Sequence, residues 1–347
     1  MRYLLALLVA TVAFEASGAP TASDPDYALV ASWRLEGGGG WDYLTFDAPR
    51  HRLFVTRADH VDVLDANTGR QRGLIPGTAG VHGVALAPKL GLGFSSNGRS
   101  NSVTVFRYAS LAVRSELSVP GENPDAILYE PKTRRLFLFN GRSHDATVVD
   151  ASTLKVLTQL RLPDKPEFAV EDGAGHVYVN IESKPGQLVV IDAAQPAVTA
   201  TWPLPGCAEP TGLAIDRAHR RLFSTCDERT LAVTDADSGR SVARLQIGEH
   251  PDAAEYDAEH GLVFSSNGDG TLTIIRQLSA DNYAAPMTLV TKRGARTMAF
   301  DPAGRRVYLI TADFAPPPAA SAGQPAPRPQ PVPGSVTILV AAPRTAP

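Results

Sequence analysis

The 347-residue chain carries 33 basic and 36 acidic residues, a net charge of −3, and is 44% hydrophobic. This balance provides apolar surface for a large core and excludes wholesale disorder. It also argues against nucleic acid or an anionic membrane as partner, because basic residues are scattered and never run more than two together.

From the N-terminus, Arg2, the apolar run Leu4 to Phe14 and the small residues Ala16 to Ala19 read as a secretory signal over residues 1–19. No Cys stands near the expected cleavage point, so the expectation is a periplasmic or secreted protein without a membrane anchor. A strand over residues 28–36 follows, within ALVASWRLEG. Seven related starts come next: WDYLTFD near 41, VHGVALA near 81, PDAILYE near 124, PEFAVED near 166, PTGLAID near 210, PDAAEYD near 251 and RTMAFD near 296. Each leads into an apolar-aromatic strand (RLFVT, LGFSS, RLFLFN, HVYVN, RLFST, LVFSS, RVYLIT), then a third strand such as VDVLD or LVVID, and a fourth. Alternation of period two with β-branched and aromatic enrichment marks strands rather than helices.

Four short strands at a period of 40–44 residues predict an all-β chain, a seven-bladed β-propeller over residues 27–340 with four antiparallel strands per blade. The seventh repeat stops after its third strand. The N-terminal ALVASWRLEG matches AVTATWPLPG at 197–206, which is a fourth strand, so the N-terminal strand is expected to complete the last blade and close the ring. The recurrent Asp65-x-x-Thr68-Gly69, Asp150-x-x-Thr153 and Asp235-x-x-Ser238-Gly239 read as turns in which Asp accepts backbone N–H bonds. Residues 313–334, rich in Pro and Ala, interrupt the last blade as an extended loop, either a solvated spacer, a cover for the channel mouth or a recruiter of partners.

These repeats, with VYVN at 177–180 and LFVT at 53–56, resemble the YVTN-repeat, YncE-like propellers of exported bacterial proteins over essentially the whole mature chain. The resemblance implies a binding role more often than a shared reaction, and similar propellers serve lactonases, adhesins and cofactor-dependent oxidoreductases.

In a propeller the first strand of each blade lies nearest the axis, so equivalent repeat positions ring one mouth of the channel. One such column reads Asp42, His82, Asp125, Glu167, Thr211, Asp252 and Arg296, and two residues earlier stand Asn123, Lys165, Glu209 and His250. So many ionisable groups would be costly in a core and cost little at a wet mouth. His82, Asp125, His250 and Asp252 are the candidate ligands of a divalent metal; no other cofactor is expected. Asn97, Asn140, Asn180 and Asn267 recur in the second-to-third-strand region, where Asn suits a left-handed turn and its amide could also face the mouth. Trp41, after Gly37 to Gly40, is either a stacking platform there or a blade-packing residue. Cys207 and Cys226, the only cysteines, fall in loops on one face and are expected to form a disulfide.

The expected function is a monomeric, non-catalytic binding module for a small polar ligand, an ion or a protein partner. The alternatives are a lactonase-like or metal-assisted hydrolase using the same ring, and an interaction scaffold.

Overall fold

The computed structural model describes residues 27–316 and 330–344, so the expected signal segment and most of the Pro-rich loop lie outside the described residues. The described chain is a ring of seven antiparallel sheets. The innermost strands are Trp41–Asp47, Val81–Ala87, Pro124–Glu130, Lys165–Glu171, Pro210–Asp216, Pro251–Asp257 and Thr297–Asp301, each packed beside the next and the last beside the first. The closing strand is the N-terminal one: Tyr27–Arg34 pairs with Thr337–Pro343 as the outer strand of blade seven. Blade six alone lengthens its third strand, Thr271–Ser279, which pairs with both Asn282–Tyr283 and the outer strand Met287–Val290.

Second and third strands are sandwiched between neighbouring blades and buried on both faces, which is why they read as continuous apolar runs such as RLFVTR and VYVNI. Among the described residues the apolar side chains form seven clusters, each shared by two adjacent blades. The core is thus a set of inter-blade interfaces rather than one central mass. The similarity of the N-terminal segment to residues 197–206 has a packing cause. Trp33 and Trp202 each lie over the turn glycine of the following blade, Gly69 or Gly239. Both glycines are at φ +72°, and a Cβ there would come within 2.3 Å of the indole. The Asp turns form as read: Asp65 Oδ1 accepts from the N–H groups of Asn67 and Thr68 at 2.9 and 3.0 Å, and Asp150 and Asp235 repeat the pattern.

Candidate functional site

Register decides where the column residues point. In blades one to six the ladder between first and second strands is interrupted at the start of the first strand, between Trp41 and Leu44, Val81 and Val84, Pro124 and Ile127, Pro166 and Ala169, Pro210 and Leu213, and Pro251 and Ala253. Asp42, His82, Asp125, Glu167, Thr211 and Asp252 all fall inside these irregularities. A bulge frees a residue from the ladder and re-aims its side chain. Here six in a row are aimed at the axis, and Arg296 joins them from just before its strand. Two residues upstream, Gly80, Asn123, Glu209, His250 and Gly294 adopt positive φ, so these loops turn sharply into the strand. Each such conformation costs a non-glycine residue about 1–2 kcal/mol.

All seven column residues line one polar cup of about 450 Å³, together with Tyr43, Lys165, Glu182, Glu209, Asp227, His250 and Pro251. Seven carboxylates (Asp42, Asp125, Glu167, Glu182, Glu209, Asp227 and Asp252) face two permanent cations, Lys165 and Arg296, and two histidines, His82 and His250. Tyr43 forms the floor. It packs edge-to-face on Phe168 with ring centroids 5.4 Å apart, and separates the cup from a chamber of about 50 Å³ deeper in the channel.

Three arcs of charge make up the wall. In the first, His82 Nδ1 stands 2.6 Å from Asp42 Oδ2 and 3.6 Å from Asp125 Oδ1. Burial alone would lower the imidazole, but the Asp42 hydrogen bond and the charges of Asp125 and Asp42 prevail and lift it to about 9, so His82 is an imidazolium at neutral pH. Burial, opposed by His82 and reinforced by Asp42, pushes Asp125 up to about 6. Gly98 makes room for this arc, since a Cβ there would meet His82 Nε2 at 2.6 Å and Asn123 Oδ1 at 2.5 Å.

The second arc joins Lys165 to Glu167 Oε1 at 2.5 Å and to Glu182. Burial and then the charge of Asp125 drive Glu167 well above the carboxylate range. Burial acts upward on Glu182 too, but the hydrogen bond from Glu167 and the Lys165 ammonium outweigh it and hold Glu182 low. The two carboxyls are thus pushed in opposite directions, Glu167 up and Glu182 down. In the third arc Arg296 Nε lies 3.2 Å from Asp252 Oδ2. Burial nonetheless pushes Asp252 up to about 7, against Arg296 and with help from Asp42 and Asp125.

Several sequence expectations need correction. His250 does not face His82 and Asp125. It is largely exposed and pairs with Asp227 at 3.2 Å, and the third member of the His82 group is Asp42. The ligating atoms of Asp42, His82 and Asp125 lie within 4.8 Å of one another, so this trio, and not the expected quartet, could surround a cation. Asn97, Asn140 and Asn267 are neither left-handed turn residues nor mouth amides. They end their second strands fully buried, and each Nδ2 donates to hydroxyl or carboxylate oxygens of the third strand: Ser102 and Thr104, Asp145 and Thr147, Thr271 and Thr273. The sequence does carry this signal, as a polar residue five or four positions after the Asn and a Thr two beyond it. Asn180, out of register, instead donates to the carbonyls of Thr211 and Gly212 in the next blade, both at 3.0 Å.

The serines of the repeated SSNG matter more for the site than its asparagines. Ser96 Oγ donates to the Asp125 carbonyl at 2.5 Å and Ser266 Oγ to that of Arg296, each latching the next blade's column residue in place. The Thr211 hydroxyl does similar work, donating to Pro251 O at 3.0 Å. Trp41 lies outside the cup, half-buried against the cores of blades seven and one, and touches Phe314 with ring centroids 6.2 Å apart. Cys207 and Cys226 are joined, with their Cα atoms 5.2 Å apart, a linkage suited to an oxidising compartment.

The fold and the cup define a seven-bladed β-propeller with a polar, ionisable channel mouth, an architecture used by binding proteins and enzymes alike. Among solved structures the chain is similar to the Kuenenia stuttgartiensis hydrazine synthase, with a TM-score of 0.68 and 15% identity over 78% of this chain and 92% of that one. At that identity the likeness concerns the fold alone. No family model matches the chain, and no curated protein matches it.

Proposed function

We propose that the protein is an exported propeller of the YVTN-repeat type that uses the cup as a binding site for a small ligand bearing a positive charge, without catalysing a reaction. One observation carries the reading: seven carboxyl groups from five blades converge on one cavity and outnumber its three cations, Lys165, Arg296 and the His82 imidazolium. A concave site with converging polar groups is the ordinary form of a small-molecule site. The internal pairs already described, with Lys184 on Glu209 at 3.1 Å, offset part of this acidity, and a cationic group would relieve the rest. The disulfide and the repeat resemblance support the export part of the reading.

The simplest probe is ethylammonium, titrated into purified full-length protein by calorimetry or NMR. Saturable binding is expected, reduced at least about tenfold in a variant combining Asp42→Asn, Asp125→Asn and Glu182→Gln that keeps its thermal unfolding transition. Absence of binding in the parent protein, or undiminished binding in the variant, overturns the reading. The Asp42, His82 and Asp125 geometry supports a divalent metal as a second reading. Elemental analysis of protein purified without chelator tests it, and absence of a stoichiometric metal rejects it.

A further inference from the structure

Beside the cup lies a larger cavity of about 650 Å³ with a different character. Its outer walls are Trp41, Phe314, Pro316 and Pro331, and its inner rim is Asp42, His250, Asp252 and Arg296, the same residues that edge the cup. The two spaces are therefore compartments of one site, one acidic and one apolar.

The apolar wall is built, not incidental. The described base of the Pro-rich insertion forms a short two-stranded stem: Phe314 bridges Pro331, Ala315 N–H donates to Gln330 O at 2.9 Å, and Val332 N–H donates to Asp313 O at 2.7 Å. Lys292 ties this stem to the loop entering blade seven through Asp313 at 2.6 Å. Gly294, at φ +79°, leaves the space that the Phe314 ring occupies, since a Cβ there would come within 2.7 Å of it. Phe314, 37% exposed, lies against half-buried Trp41, so the two rings together present an apolar face to the cavity above the ring of charges.

We propose that the ligand of this site is an amphipathic amine, whose ammonium group sits in the acidic cup while a ring-sized apolar body rests against the apolar face formed by the contacting rings of Trp41 and Phe314. This inference rests on the cationic-ligand reading above and adds the second half of the ligand. The compartment, at about 650 Å³, has ample room for a ring system. Aromatic walls favour a planar body, which they can meet face-on or edge-on.

The test compares phenethylamine with ethylamine on full-length protein and on Trp41→Ala and Phe314→Ala variants whose thermal transitions are checked in parallel. Covering one ring by apolar wall predicts about tenfold tighter binding of phenethylamine to the parent protein. Each substitution should bring phenethylamine to within about threefold of ethylamine and leave ethylamine unchanged. Equal affinities in the parent, or a preference that survives both substitutions, overturns this inference while leaving the cup reading intact. If neither amine binds, both fall together.

Discussion

At the scale of single residues, Asp252 shows how the mouth trades stability for a site. Its side chain is only 17% exposed, and burial holds it protonated up to about pH 7 despite Arg296 at 3.2 Å. A carboxyl raised from its ordinary value binds its proton more tightly in the folded state, so its contribution to stability is intact in acid and is lost as pH rises from about 4 through about 7. Asp252→Asn removes that linkage. The variant should unfold at about the same temperature as the parent near pH 4 and become more stable by about 1–3 kcal/mol at pH 8. Loss of the pair to half-exposed Arg296 subtracts little from this. Thermal scans at the two pH values check the outcome; a difference that does not change with pH would contradict it.

At the scale of elements, bulges and latches act together. In blades one to six the bulge opening the first strand frees the column residue. Ser96, Asn180 and Ser266 from second strands, and Thr211 from a first strand, hold backbone carbonyls at or beside the column position of the next blade. The disulfide in blade five joins the loop before its first strand to the end of its second, a closure of 19 residues. In the chain-entropy account this contributes roughly 3 kcal/mol. Replacing both cysteines by serine should therefore lower the unfolding midpoint by several degrees and leave amine binding intact, because neither cysteine lines the cup. Chemical denaturation of the oxidised protein against the double variant measures the loss. This scale is also where residue spacing misled: Asn97, Asn140 and Asn267 looked like turn residues because each sits one position before a turn. Their amides instead turn inward to third-strand side chains, a contact set by cross-strand pairing rather than by neighbours in sequence.

At the scale of the whole molecule, closure is the controlling feature. Tyr27–Arg34 covers the edge of Thr337–Pro343, which would otherwise present unpaired backbone groups, and Trp33 fixes blade seven to blade one. Removing residues 27–36 should open the ring, expose that edge and shift the protein to aggregates on size-exclusion chromatography. A soluble, undiminished monomer peak would refute this account of closure.

Period-two alternation, a 40–44-residue repeat and an incomplete last unit are written along the chain, and they sufficed for the seven blades, the closing strand and the column Asp42, His82, Asp125, Glu167, Thr211, Asp252 and Arg296. Those features are legible because alternation and repeat reflect local backbone geometry and burial, which every copy restates. Only the tertiary structure decided which charges meet: that His82 pairs with Asp42 rather than His250, that Glu182 enters the cup from a second-strand end, and that Phe314 stands opposite Trp41. Such contacts join residues from different strands or different blades. They exist only once the ring has closed and the bulges have turned each side chain towards the axis.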